Sequence, residues 1–146
     1  MKFTARSEEG SVVDDWTAAF TVPDLFTPPL ALSTPRAFRA RTLREWKALG
    51  DDPNPKPLAV WQFNRTDRIL IAFDCYARTP DAAVEAHVLS RDGKELTRLP
   101  MPPRTGEVVR FELPVSSFGQ GVYLLRVRAK AGTDEAEQLA AFRIQQ

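Results

Sequence analysis

Cysteine and histidine are almost absent from this 146-residue chain, which contains only Cys75 and His87. One cysteine cannot close an internal disulfide, and one of each residue cannot supply the four ligands of a structural zinc site. No glycine-rich phosphate-binding motif occurs either. We therefore expect no metal and no cofactor and assign no catalytic residue. Cys75 is interpreted as a core residue, and His87 as a solvent-facing or hydrogen-bonded structural imidazole.

Long apolar runs are also missing. A membrane-spanning helix needs roughly 20 apolar residues, and proline, arginine or aspartate interrupts every apolar run before that length. No signal peptide is recognised, because Met1–Phe3 leads directly into polar residues. The formal net charge is only +1, which gives little electrostatic attraction for nucleic acid or anionic lipid. We expect no membrane insertion and no nucleic-acid partner.

Short segments of alternating apolar and polar residues make up most of the sequence, and turn-forming residues such as Asp92-Gly93 separate them. This pattern predicts strands over 30–33, 58–63, 68–76, 84–89, 95–99, 107–113, 121–130 and 135–144. Many short strands at nearly regular spacing are typical of two packed antiparallel sheets. The predicted fold is all-β, an antiparallel immunoglobulin-like β-sandwich with one short helix, over residues 30–146.

Two further strands are predicted in front of this domain, over 2–7 and 16–22, joined by a turn at 8–11. In the second strand Trp16, Phe20 and Val22 share one face, which we expect to be buried. The proline-rich stretch 23–29 cannot continue a central strand and is interpreted as a linker. Residues 1–25 are therefore predicted to form a separate β-hairpin.

The short helix is predicted to begin at Thr42. Thr42-Leu43-Arg44-Glu45 has the spacing of a capping box, in which the threonine and glutamate side chains satisfy each other's backbone N–H groups. Leu43, Trp46 and Leu49 then recur at helical spacing. Gly50 is the expected left-handed stop.

The densest basic run is Arg36, Arg39, Arg41 and Arg44, interleaved with aromatic residues. Such a pattern resembles a surface that stacks bases and follows phosphates. Arginine stems, however, commonly cover apolar edges while their guanidinium groups pair with acids, here expected among Glu45, Asp51 and Asp52. We interpret the run as a solvated face.

Three aromatic residues allow two interpretations. Trp16, Trp61 and Phe73 would line a sugar-stacking platform in a carbohydrate-binding accessory domain, or they would fill the core between the sheets. Their alternate strand positions favour the core, so Trp61 and Phe73 are taken as structural residues. A small enzyme built on the carboxylates of Asp74 and Glu85 is a further alternative, and it requires both acids to face one cleft.

The segment Leu113–Val127 resembles the end of bacterial immunoglobulin-like and fibronectin-like modules, with leucine-proline, a short loop, glycine-x-tyrosine and an alternating strand. The resemblance implies that Tyr123 is a structural residue similar to a tyrosine corner. Its hydroxyl would then fix the loop that enters the strand.

Residues 16–25, 30–36, 63–71 and 138–144 resemble the C-terminal part of large bacterial proteins, mostly acidobacterial, that carry a von Willebrand factor A-related domain. The resemblance implies an extracytoplasmic location, in the periplasm, at the cell surface or secreted. It also implies that residues 1–25 end a preceding β-module. The implied function is a non-catalytic interaction or spacer module whose partner is a protein or a neighbouring domain. No Asp-x-Ser-x-Ser motif occurs, so metal-dependent adhesion is not implied.

Overall fold

The computed structural model describes residues 2–6, 12–17, 19, 21–22, 24–79, 81–103 and 106–145. These residues form eleven strands and one α-helix, with a single 3-10 turn at Val115–Ser117. In chain order the elements are β1 Lys2–Arg6, β2 Val12–Thr17, β3 Leu30–Leu32, β4 Arg36–Ala40, α1 Leu43–Asp51, β5 Gln62–Asn64, β6 Arg68–Ala77, β7 Ala83–Ser90, β8 Glu95–Leu99, β9 Val108–Leu113, β10 Gly121–Ala131 and β11 Asp134–Gln145.

Two sheets form the sandwich. The larger has the order β5-β11-β10-β7-β8, and in it only β5 and β11 run parallel. In the smaller sheet β6 pairs antiparallel with β3, β4 and β9. This division of the strands is that of an immunoglobulin-like sandwich. The predicted all-β sandwich with one short helix is confirmed.

The core lies between the sheets, where alternate residues of each strand point inward. On β6 the inward row of Ile69, Ile71, Phe73 and Cys75 is fully buried. The facing sheet contributes Val88, Leu125, Val127, Phe142 and Ile144. Burial of each large apolar side chain contributes about 1.5–3 kcal/mol, so this row and its partners hold the two sheets together.

At the N-terminus β1 pairs antiparallel with β2, but the second of these strands begins and ends earlier in the chain than predicted. β2 runs over Val12–Thr17 instead of 16–22, and its pairing with β1 ends at Lys2 opposite Thr17. Of the residues predicted to share its apolar face, Val22 is 75% exposed. The predicted turn at 8–11 and Phe20 lie outside the described residues. The division into residues 1–25 and 30–146 stays a prediction.

The stretch predicted as a linker is described over 24–29, and this part begins with an ordered turn. Asp24 Oδ1 accepts hydrogen bonds from the backbone N–H groups of Phe26 and Thr27, each at 3.0 Å. Hydrogen bonds from Thr27 and from the Phe26 backbone lower the pKa of the Asp24 carboxyl. Arg78 Nη2 donates to the Thr27 carbonyl at 2.9 Å, which holds this turn against the end of β6.

Two strand predictions need correction. β4 was not predicted, because its sequence Arg-Ala-Phe-Arg-Ala was interpreted as part of the basic run, yet Ala37, Phe38 and Ala40 are buried. The strand predicted over 58–63 is shorter and lies at Gln62–Asn64. Its first part instead crosses between the sheets, since Leu58 N donates to Ala37 of the smaller sheet while Arg143 N of β11 donates to the Trp61 carbonyl.

The helix begins as predicted, with Thr42 as N-cap accepting from Glu45 N at 3.2 Å. The Glu45 carboxylate, however, accepts from Arg41 N at 2.7 Å, one residue before the position that a capping box requires. Gly50 does not end the helix, which continues to Asp51 and closes with Asp52 N donating to Ala48 O. Pro53 follows and has no N–H to extend the ladder.

Candidate functional site

The outer face of the larger sheet carries a dense set of charged side chains. Because Ala86 and Leu125 point into the core, their strand neighbours point outward. The register places Arg126 opposite His87 and Arg128 opposite Glu85. We call the set the charged ladder, and it consists of Glu85, His87, Glu95, Arg98, Arg126, Arg128, Lys130, Glu135 and Glu137.

Ion pairs connect the ladder from strand to strand. The N–O distances are 2.8 Å for Arg98–Glu85, 2.9 Å for Arg126–Glu95, 2.8 Å for Arg128–Glu137 and 2.7 Å for Lys130–Glu135. Opposite charges facing each other across strands stabilise a sheet, and they do so less where water reaches them. The ladder thus ties β8, β7, β10 and β11 together along their outer face.

His87 is the most enclosed member of the ladder, with 8% of its surface exposed. Its Nδ1 lies 2.9 Å from Glu95 Oε1, and its Nε2 lies 3.5 Å from Glu85 Oε2. The hydrogen bond from His87 lowers the pKa of the Glu95 carboxyl, and the charge of Arg126 acts in the same direction. His87 therefore lies on the outer face, nearly enclosed between two carboxylates.

The structure brings together neither Cys75 and His87 nor the acid pair Asp74 and Glu85 considered from the sequence. Cys75 is buried on the inner face of β6, whereas His87 faces outward from the other sheet. Asp74 accepts hydrogen bonds from Arg36 Nη2 at 3.0 Å and Ser33 Oγ at 3.3 Å on the smaller sheet. Glu85 belongs to the charged ladder on the larger sheet, so the two carboxylates do not face one cleft.

The three predicted structural residues lie around the core. Phe73 is fully buried and meets Phe111 edge-on, with ring centroids 6.3 Å apart. Trp61 is half-buried and packs against the core, 6.2 Å from Phe63. The Tyr123 hydroxyl donates to a backbone carbonyl in the loop that precedes β10. All three therefore pack against core residues or fix a loop.

A flat sugar-stacking surface is not formed by the rings that the structure describes. The Trp16 side chain lies outside the described residues, and Phe73 is inaccessible. Phe26, 80% exposed, lies 5.4 Å from Tyr76, but the two rings are inclined by 51°. The half-buried Trp46 has the Arg68 guanidinium 4.1 Å above its ring.

The basic run is split between two faces of β4. Arg36 pairs with Asp74 at 3.0 Å on the outer face. Arg39 pairs with the almost buried Asp67 at 3.2 Å and also donates to the Gln62 carbonyl. The acids that neutralise these arginines are therefore Asp74 and Asp67, not the predicted helix acids, because strand alternation directs the two arginines to opposite sides.

An open cavity of about 570 Å³ lies between the edges of the two sheets, near β8 and β9. Its lining includes the apolar side chains of Val84, Leu99, Met101 and Val109, and among the described residues Arg98 is the one ionisable side chain that lines it. Acid–base chemistry needs at least one group that gains and loses a proton near neutral pH. The described lining residues supply none.

Within the described ranges, no group of three or more histidine, cysteine, aspartate or glutamate side chains has the geometry of a metal site. No helix in those ranges is long and apolar enough to cross a membrane.

No match to this chain was found among protein-family models, curated proteins or solved structures. The fold and the side-chain geometry described above are thus the grounds on which its function is inferred.

Proposed function

We propose that this chain is a non-catalytic interaction or spacer module of a larger bacterial envelope or secreted protein. The charged ladder is the observation that carries the proposal. Its ionisable groups pair with each other across strands on an open sheet face. Active sites instead gather such groups in a concave, water-restricted pocket where their pKa values are shifted toward the reaction.

The same outer face also offers a surface for a protein or a neighbouring domain. Leu139 is opposite Arg126 in the sheet register and is 54% exposed. Protein–protein interfaces commonly have an apolar centre surrounded by a polar rim, and an exposed apolar side chain beside paired charges has this arrangement. The charges would select the partner and its orientation, while burial of Leu139 would add affinity.

Two features of the fold support the resemblance to bacterial immunoglobulin-like modules. The strands divide between the sheets as in that fold. The Tyr123 hydroxyl also bonds upstream, at the start of the strand where the resemblance expects a tyrosine corner. The extracytoplasmic location and the relation to von Willebrand factor A-related proteins rest on the sequence resemblance.

Cell fractionation tests this proposal. An antibody raised against residues 30–146 is used to blot cytosol, envelope and medium of the source cells, with cells lacking the gene as the control. We expect a band much larger than the 16.4 kDa of this chain, in the envelope or the medium. A band of 16.4 kDa confined to the cytosol would overturn the proposal.

A carbohydrate-binding accessory domain is the alternative, and it has less support. It requires exposed, coplanar rings. Trp46 and Trp61 are both half-buried, and the Trp46 ring already carries Arg68 on one face.

A further inference from the structure

β9 is an edge strand with an unprotected side. It pairs with β6 over its whole length, and in the described part of the chain no strand pairs with its other side. Its pairing with β6 has no register shift, and β9 contains no proline. By contrast, β8, an edge strand of the larger sheet, pairs with β7 across a register shift. Bulges and prolines are devices that discourage edge pairing.

The backbone groups on the unprotected side can be identified. Cys75 N donates to Glu107 O at 2.8 Å, which fixes the alternation of hydrogen-bonded pairs along the ladder. The odd-numbered residues of β9 therefore direct their N–H and C=O groups toward β6. Val108, Arg110 and Glu112 direct theirs away from it. The side chains of these three residues are exposed on the outer face of the sheet.

We propose that β9 pairs antiparallel with β9 of a second copy of this chain, about a twofold axis at Phe111. In this register Arg110 is opposite Glu112 of the partner subunit, and the symmetry repeats the pair. Val109 is opposite Leu113 of the partner subunit on the apolar inner face. Each Arg110–Glu112 position is a hydrogen-bonded pair, so the outward N–H and C=O groups of these two residues bind those of the partner subunit.

The side chains select this register among the antiparallel alternatives. A shift of two residues in one direction places Arg110 opposite Arg110 of the partner subunit, and a shift in the other places Glu112 opposite Glu112 of the partner subunit. Like charges directly opposite each other are destabilising. A shift of one residue would bring exposed residues opposite buried ones and is excluded by the alternation of faces.

Both charges are available for the contact. Arg110 has no ion-pair partner among the residues that the structure describes. Glu112 binds Arg68 with both oxygens, Oε1 to Nε and Oε2 to Nη2, each at 3.1 Å. A carboxylate has about four acceptor positions, so Glu112 can accept a second guanidinium from across the interface.

Self-pairing goes beyond the proposed interaction or spacer function, because a module that did not pair with itself would still link domains or bind another protein. A negative result in the experiment below would rule out the self-pairing and leave the proposed interaction or spacer function unaffected. A negative result in the fractionation experiment would rule out the proposed function in the envelope or medium and leave the self-pairing unaffected.

Charge-reversal variants test the register by analytical ultracentrifugation. The wild-type chain is expected to form a dimer of the 16.4 kDa protomer. Arg110→Glu and Glu112→Arg each turn both attractive pairs into repulsive ones, and we expect each to lower the association constant at least about tenfold. Mixed in equal amounts, the two variants regain complementary pairs in both positions and should form a heterodimer. Arg44→Glu, a reversal on the exposed start of α1, is the control and should dimerise as the wild type does.

A backbone variant tests the strand pairing without any change to the ladder with β6. Arg110→Pro removes an N–H that points away from β6, so it should block the dimer and preserve the fold as judged by circular dichroism. This variant keeps the test valid if Glu112→Arg, which also loses its bond to Arg68, does not fold.

The proposal is overturned by a wild-type monomer at about 1 mM, by a dimer that withstands Arg110→Glu and Arg110→Pro, or by folded variants that stay monomeric when mixed. Pairing with a foreign strand by a chain that never self-associates would also overturn it.

Discussion

The hydroxyl of Tyr123 donates a hydrogen bond of 3.0 Å to the carbonyl of Gly119, four residues upstream. The tyrosine ring stacks on the buried Phe142, with centroids 5.5 Å apart and planes inclined by 25°. One side chain thus connects the loop before β10 to the core. Gly121, between the two bonded residues, has a φ of +159°, and a Cβ there would lie 3.5 Å from the tyrosine ring.

We expect Tyr123→Phe to destabilise the domain by about 0.5–1.5 kcal/mol, the usual net value of one hydrogen bond. The loss is modest because Tyr123 is half-exposed, and water can bond to the Gly119 carbonyl in the variant. A urea melt measures it. Tyr76→Phe is the matched control, since the Tyr76 hydroxyl has no hydrogen-bond partner in the described ranges. Equal midpoints for Tyr123→Phe and the wild type would show that the bond does not stabilise the loop.

Removal of the helix cap is expected to act locally. Thr42→Ala leaves Glu45 N without its acceptor, and loss of such a cap costs about 1 kcal/mol. Since α1 buries none of its residues, the cost should appear as fraying of the first turn. Hydrogen exchange at the Glu45 amide should become roughly fivefold faster. Thr42→Ser keeps the side-chain oxygen and should exchange like the wild type, and a Thr42→Ala rate equal to both would refute the cap.

Strands with regular alternation could be predicted from the sequence, and strands defined by their neighbours could not. β8 was predicted to the residue and β6 to within one residue, since one face of each has a clear apolar or polar pattern. β4 exposes Arg36 but buries both Ala37 and Phe38, which breaks the period of two. On its outer face Phe38 lines a cavity together with Pro53 and Pro55, a proximity that alternation alone does not reveal.

The charged ladder could not be predicted either, although the charged residues that form it are visible in the sequence. Glu85, Arg128 and Glu137 alternate with apolar residues on three strands. Their contacts depend on which strands are adjacent and in which register, and neither is contained in the pattern of a single strand. The unprotected side of β9 likewise becomes visible only when the strand order is known.

Oligosaccharides are expected to leave the tryptophan fluorescence unchanged. Trp61 packs against the core and Trp46 is covered on one face by Arg68, so neither offers an open ring for a sugar. Emission is recorded with and without a panel of plant and bacterial oligosaccharides, and with Trp46→Phe and Trp61→Phe as matched variants. A saturable shift that disappears in one of these variants would favour the carbohydrate-binding alternative.

The Glu95 carboxyl should make the stability of the domain depend on acid pH. Its pKa in the folded protein is lowered, first by the hydrogen bond from His87 and further by Arg126. The unfolded chain, with an ordinary glutamate pKa of about 4.3, therefore binds this proton at a higher pH than the folded protein does. The contribution of Glu95 to the stability of the folded protein is therefore complete above the pKa of the unfolded chain. It is lost as the pH falls through the lower pKa of the folded protein.

Urea melts between about pH 6 and pH 3 measure this dependence. Glu95→Gln should be less stable than the wild type at pH 6, because it loses the ion pair with Arg126 and weakens the contact with His87. It should also lose less stability than the wild type on acidification. Asp92→Asn, which changes an exposed carboxyl in the turn between β7 and β8, is the control and should keep the wild-type slope. If Glu95→Gln and the wild type lost stability in parallel, the His87–Glu95 contact would not stabilise the charged form of Glu95, and the ladder would lack its most enclosed link.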